Sequence, residues 1–272
     1  MSGGRRLRFT LLGTGSSGGV PRVGNDWGAC DPTEPKNRRR RCSALADVFD
    51  PSTPDQLTRV LIDTSPDLRE QLLDAEVSHL DAIVFTHDHA DQTHGIDDVR
   101  ALAIRQRAQI PSYLDAPTRE SLLPKFRYCF EGQGGYPPIL DLQPDIEPLK
   151  PFELAGRGGI LPLLPMEQEH GFIRSLGFRM GGLAYCNDLN GLPDESLNAL
   201  KNLDVLIIDA LRYTPHPSHA HLEQSLAWIS ELAPRRAVLT NLHVDFDYSI
   251  LRQELPDGVE PAFDGWSVEL DL

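Results

Sequence analysis

The run DAIVFTHDHADQTHGIDD, from Asp81 to Asp98, constrains this chain more than any other. Ala82 to Thr86 reads as a short buried strand, and it passes straight into a loop of His and Asp. Folds of the α/β class place their chemistry at such strand-to-loop junctions. Three of the nine histidines lie between His87 and His94, a clustering that a solvated loop rarely produces. His87, His89 and Asp91 alternate along it. Imidazole and carboxylate are the ligands that borderline divalent metals take, and a tight turn points several of them at one place.

The remaining composition fits a globular protein. Of 272 residues, 40% are hydrophobic and 24% charged, the profile of one sizeable domain or two small ones, and the strand-like stretches within the Pro/Gly-rich middle favour one domain over 1–272. Lys plus Arg total 26 against 40 Asp plus Glu, a formal net charge of -14. A bulk nucleic-acid binder needs cations to neutralise phosphates, so that class is excluded. No run approaches the about 20 apolar residues of a membrane helix. The N-terminal MSGGRRLRFTLL lacks the apolar core of a signal segment. The expectation is a soluble cytoplasmic protein without membrane contact, with a homodimer left open. Cys30, Cys42, Cys129 and Cys186 are too scattered for a disulfide framework, so free thiols are expected.

Along the chain, RLRFTLL (6–12), SALADVF and RVLIDTS read as strands and LREQLLDA as a helix. DDVRALAIRQRA reads as a helix, and PSYLDAPTRESLLPKF as a strand followed by a helix. The Pro/Gly-rich middle, 128–165, contains strand-like PPILDL and GGILPLL. SLGFRMGGLAYCND predicts a hairpin turning at Gly181 and Gly182. The last third alternates: DVLIIDA strand, LEQSLAWISEL helix, RAVLTNL strand, then a terminal helix near YSILRQEL.

HxHxD directly after an apolar strand resembles the signature of the metallo-β-lactamase fold. The ordered series GTGSSGGVPR, IDTSPDLR, HDHADQTHGIDD, His170, Asp188, PHPSH and LTNLH is similar to the phosphoribosyl cyclic-phosphate phosphodiesterases of that superfamily. The resemblance covers nearly the whole chain. It implies a four-layer αββα sandwich with two mixed sheets. It also implies a first metal at His87, His89 and His170, with Asp188 bridging to a second metal and Asp91 at that second site. The family usually has His right after this Asp and another His after the Thr of the last core strand. Here Gln92 and Asn241 stand at those places. Amides offer only a neutral carbonyl oxygen in exchange for an imidazole nitrogen. The expectation is therefore Zn or Mn at one furnished site, with a second site that is empty, weak, held by a harder ion such as Mg, or rebuilt by His94 or His243. Three cysteines that family members often carry after the first strand reduce here to Cys30, so no structural zinc is expected in that loop.

PHPSHAH, Pro215 to His221, is a proline-braced loop able to hold an imidazole at a site mouth. It resembles the HST motif of tRNA 3′-processing nucleases, which implies His219 as the acid and, with His216, a substrate contact. Ser218 is expected to cap the helix that follows. GTGSSGG is followed by Pro21 and a long loop rather than a helix, so a dinucleotide site fails its own context and the glycines read as points of close backbone approach. Most of Arg38 to Arg41 reads as a solvated run, with a phosphate clamp as the alternative. Asp63 and Asp67 read as orienting acceptors, Asp67 or Ser65 equally as helix caps.

These readings predict metal-dependent hydrolysis of a small phosphodiester, foremost a cyclic phosphate, with Asp91 orienting or deprotonating the attacking water and His219 protonating the leaving oxygen. The alternatives are an RNA-processing nuclease on the same scaffold, and a metal- and nucleotide-binding protein without turnover.

Overall fold

The computed structural model describes residues 4–272. The Met1–Gly3 start of the basic N-terminal segment lies outside the described residues. Strand-forming runs rich in Val, Ile, Leu and Phe organise two seven-stranded mixed sheets. The first half of the chain supplies β1 (Arg6–Gly13), β2 (Ser43–Phe49), β3 (Leu57–Ile62), α1 (Leu68–Asp74), β4 (Ala82–Val84), α2 (Ala90–Thr93), α3 (Arg100–Gln106), β5 (Ile110–Tyr113), α4 (Ala116–Glu131) and β6 (Leu140–Leu142). The second half supplies β7 (Phe152–Gly156), β8 (Gly159–His170), β9 (Ile173–Met180), β10 (Leu183–Cys186), α5 (Asp194–Ala199), β11 (Val205–Asp209), α6 (Leu222–Leu232), β12 (Arg236–Thr240), α7 (Tyr248–Glu254), β13 (Val259–Pro261) and β14 (Ser267–Asp271).

One sheet runs β14-β1-β2-β3-β4-β5-β6 and the other β13-β12-β11-β10-β9-β8-β7. In each, hairpins give antiparallel pairs on one side and crossover helices give parallel pairs on the other: β3 to β6 in the first sheet, β10 to β13 in the second. The two sheets face each other across a shared core that includes Phe9, Ile62, Phe178, Tyr185 and Ile207. Phe9 and Tyr185 meet across it with ring centroids 5.5 Å apart. A second apolar layer packs α1, α3 and α4 outside the first sheet, and a third packs α5, α6 and α7 outside the second. This is the expected αββα sandwich. Each fully buried Leu, Ile or Phe contributes about 1.5–3 kcal/mol of transfer free energy.

Two local expectations are corrected. The segment after β4 is not purely loop, since Ala90–Thr93 forms one helical turn with His89 at its N-cap. The helix at Tyr248–Glu254 is not terminal, because β13 and β14 follow and each adds an edge strand to one sheet. His170 is the last residue of β8.

Candidate active site

The C-terminal ends of the parallel strands in both sheets converge on one edge, which is where an open α/β sheet builds its sites. Asp63 follows β3, His87 and His89 follow β4, Asp188 follows β10, Asp209 ends β11 and Asn241 follows β12. The chain turns sharply there: Asp63, Asp188 and Asn241 hold φ of 60°, 55° and 62°. Asp and Asn are the residues that tolerate this left-handed conformation best.

Three imidazoles meet at this edge. His87, His89 and His170 each offer a ring nitrogen, all within 4.8 Å of one another. His170 Nε2 lies 3.2 Å from His89 Nδ1, and the rings of His87 and His170 pack edge to face at 5.0 Å. His170 Nδ1 is held by the carbonyl oxygen of Ser218 at 2.6 Å. His87 Nδ1 touches Thr86 Oγ1 at 2.9 Å, and that hydroxyl donates to Asp63 Oδ2 at 2.8 Å. These contacts orient both rings and leave His87 Nε2 buried without a partner. Burial, with neighbouring imidazoles adding to it, pushes the His87 pKa well down and His170 to about 4. Neutral imidazoles with free nitrogens at one point are what a borderline divalent ion requires, so the residues fit one such ion.

A second group overlaps the first: His170, Asp188 and His219 also bring ligand atoms within 4.8 Å of one another. His219 Nδ1 lies 2.9 Å from Asp209 Oδ2, 3.6 Å from Asp188 Oδ1 and 3.1 Å from Asn241 Nδ2. Burial alone lowers the His219 pKa, but the carboxylates of Asp209, Asp188 and Asp91 outweigh it and raise the value to about 9. Burial also raises the carboxyl group of Asp209, a shift that the His219 cation counters. His216 stands beside His219, ring centroids 5.1 Å apart. Asp91 opens α2, outside both groups, with Oδ2 3.4 Å from Gln92 Nε2.

At the position of the expected second ion, amides take the space. Gln92 Nε2 donates to Asp188 Oδ2 at 3.0 Å and Asn241 Nδ2 to Asp188 Oδ1 at 3.3 Å. His94 is exposed and packs on Phe126, and His243 is engaged by Asp245 and Arg22, so neither imidazole is brought to this position. The residues there do not fit a second ion of the first one's kind.

The surrounding loops correct further expectations. Ser218 does not cap α6, whose N-cap is His221; its carbonyl oxygen holds His170 instead. Asp67 is the N-cap residue of α1 without a side-chain cap, because its carboxylate is taken by Arg41 through Nε at 2.5 Å and Nη2 at 2.8 Å. Asp63, by contrast, orients His87 through Thr86. The arginine run is not mainly solvated. Arg39 is buried against Cys30 and Asn37, Arg40 pairs with Asp264 and Asp74, and only Arg38 is exposed. Three of the four cations are thus engaged by other groups of the protein. Glycine in GTGSSGG is required by close approach: a Cβ at Gly13 would fall 2.0 Å from the Arg41 carbonyl oxygen, and one at Gly15 2.9 Å from Arg39.

Thr86, Asn187 and Asp209 were not singled out in the sequence. An acidic residue closing the otherwise apolar VLIID is the signal that could have marked Asp209.

Comparison with known proteins agrees with this architecture. Residues 58–241 match the Beta-lactamase superfamily domain. The structure superposes on the crystal structure of a new diphosphatase from the PhnP family with a TM-score of 0.87 and 34% identity, covering 98% of each chain. Zn(2+)-bound PqqB from Methylobacterium extorquens shares the fold, with a TM-score of 0.71 and 16% identity over 97% of this chain and 100% of that one. An octanoyltransferase of Porphyromonas gingivalis (strain ATCC BAA-308 / W83) is 32% identical over 97% of this chain and 52% of its own length, so the chain spans about half of that protein. The chain belongs to the metallo-β-lactamase superfamily and, within it, to the PhnP family.

Proposed function

We propose that the chain, as one domain, is a metal-dependent phosphohydrolase acting on a small phosphodiester or diphosphate, with a cyclic phosphate as the first candidate. The observation that carries this reading is the convergence of His87, His89 and His170, with His87 Nε2 buried and unpartnered, beside the His219–Asp209 pair. These three imidazoles, with Asp188 beside them, would hold a divalent ion, which would supply an acidified water and polarise a phosphoryl oxygen.

The protein groups supply the rest. Asp209 holds the Nδ1 proton of His219, and the imidazolium delivers the proton on its other ring nitrogen, Nε2, to the departing oxygen. Asp91, half-buried on the first turn of α2, orients the attacking water. His216 at the lip contacts the substrate. The relative named as a diphosphatase favours phosphoryl chemistry over acyl chemistry. The octanoyltransferase name belongs to a protein twice as long, and this chain offers acyl transfer no thiolate. All four cysteines are buried, and burial pushes their thiols up. A net charge of -14 disfavours the RNA-processing alternative.

The test is a substrate panel on Zn2+- or Mn2+-loaded protein: a 2′,3′-cyclic nucleotide, a nucleoside diphosphate, an oligoribonucleotide and an octanoyl thioester. Phosphate-ester or anhydride cleavage with an inert thioester supports the reading. Thioester cleavage alone overturns it, and binding of the phosphates without cleavage moves the chain to a non-catalytic binder, the role to which the altered Gln92 and Asn241 would point.

A further inference from the structure

We infer that Gln92 and Asn241 close the second cation position with a hydrogen-bonded clamp on Asp188, so that the chain holds a single divalent ion. The inference rests on the reading of His87, His89 and His170 as the ligands of the first ion.

A carboxylate has about four acceptor sites. Asp188, fully buried, spends three of them on amide donors: Gln92 Nε2 at 3.0 Å and Asn187 Nδ2 at 2.5 Å on Oδ2, and Asn241 Nδ2 at 3.3 Å on Oδ1. The direction left over faces His170 and His219, the side of the imidazole cluster. A carboxylate that bridges two ions needs an oxygen lone pair for each. An ion on the Gln92–Asn241 side would meet N–H groups where it requires lone pairs.

Turning the amides over does not rescue the site. The reversed orientation gives up two charge-assisted hydrogen bonds to the buried carboxylate and offers an ion only neutral carbonyl oxygens in return. Gln92 Oε1 is buried without a donor, yet a lone amide oxygen is a weak, neutral ligand beside its own N–H group. Asn241 also suits its backbone, since φ of 62° is a conformation that Asn tolerates. The clamp therefore satisfies the local chain and the buried carboxylate together.

The experiment reads metal content rather than activity. Untagged protein is stripped, dialysed against Zn2+ and separately Co2+, and its ions per chain are counted by plasma mass spectrometry. The Co2+ visible absorption is followed during titration as a second readout. The wild type is expected to saturate at one ion and the double variant Q92H/N241H at two, with Co2+ absorption breaking at the corresponding equivalents. Two ions in the wild type, or one ion in a folded double variant, overturns the clamp. The single variants Q92H and N241H serve if the double variant does not fold, and a second ion in neither overturns it equally. No ion in the wild type overturns the imidazole site itself and the proposed function with it, an outcome separate from the others.

Discussion

The Nδ1 atom of His219 lies 2.9 Å from Oδ2 of Asp209, a carboxylate with no exposure to solvent. That contact ties a group from the Pro-braced loop to the end of β11 and fixes which ring nitrogen faces inward. Replacing His219 with Gln keeps a polar side chain of similar reach but removes the titrating proton. The expected outcome is a loss of phosphodiester turnover of about 10²–10⁴-fold with metal content unchanged. Steady-state kinetics together with metal counting check it, and wild-type turnover in H219Q contradicts it.

The same pair predicts the pH profile. Burial opposes the charge on His219, but the carboxylates of Asp209 and Asp188 prevail and raise its pKa to about 9, against about 6.5 in an unfolded chain. The charged imidazolium therefore stabilises the fold fully below about pH 6.5, and that contribution is lost as pH rises through about 9. Turnover that needs this proton falls on the alkaline side as His219 loses it. Asp209→Asn removes the main counter-charge, so the alkaline limb of kcat/KM moves down toward neutral pH. An unmoved limb shows that another group titrates.

Thr86 acts through its neighbours. Its backbone N–H and hydroxyl donate to Asp63 at 2.8 Å each, and its oxygen sits 2.9 Å from His87 Nδ1. Thr86→Val keeps the shape and deletes the link. Metal affinity is expected to fall about 10–100-fold, with the melting temperature less affected. Competition with a chromogenic chelator reads it.

Away from the site, Asp47 and Arg59 form a two-point ion pair between β2 and β3, at 2.7 and 2.9 Å, with side chains only 5% and 10% exposed. Asp47→Ala leaves a buried guanidinium without a counter-charge and is expected to cost about 3–5 kcal/mol. Asp47→Leu with Arg59→Met is expected to recover most of it. Urea denaturation of the three proteins decides, and a single mutant as stable as the double contradicts the account.

The parts legible in the sequence are those with local signals. Apolar strands ending in glycine or acidic residues, the helical period of LREQLL and LEQSLAWISEL, and the HxHxD cluster each announce themselves within about a dozen residues. The strands β13 and β14 do not. Val259–Pro261 is too short for a period, and Ser267–Asp271 pairs with Arg6–Thr10 at the far end of the chain, its half-exposed residues alternating with charges. Likewise RRRR reads as solvated because nothing local reveals Asp67 and Asp74 at the two ends of α1, or Asp264 before β14, which partner it from two other segments. Gln92 and Asn241 stood out as departures from a metal-binding pattern, but that both amides meet on Asp188 follows only from the packing of the two sheets.

The central claim is that a divalent ion at His87, His89 and His170 makes this chain a phosphohydrolase. The most direct measurement titrates Zn2+ or Mn2+ into stripped wild-type protein and His89→Ala while following hydrolysis of bis-p-nitrophenyl phosphate. The account predicts turnover that is absent in the stripped protein, rises with added ion, levels off at one equivalent and never appears in His89→Ala. Turnover indifferent to metal or surviving in His89→Ala, or a fully loaded wild type with no turnover, contradicts it.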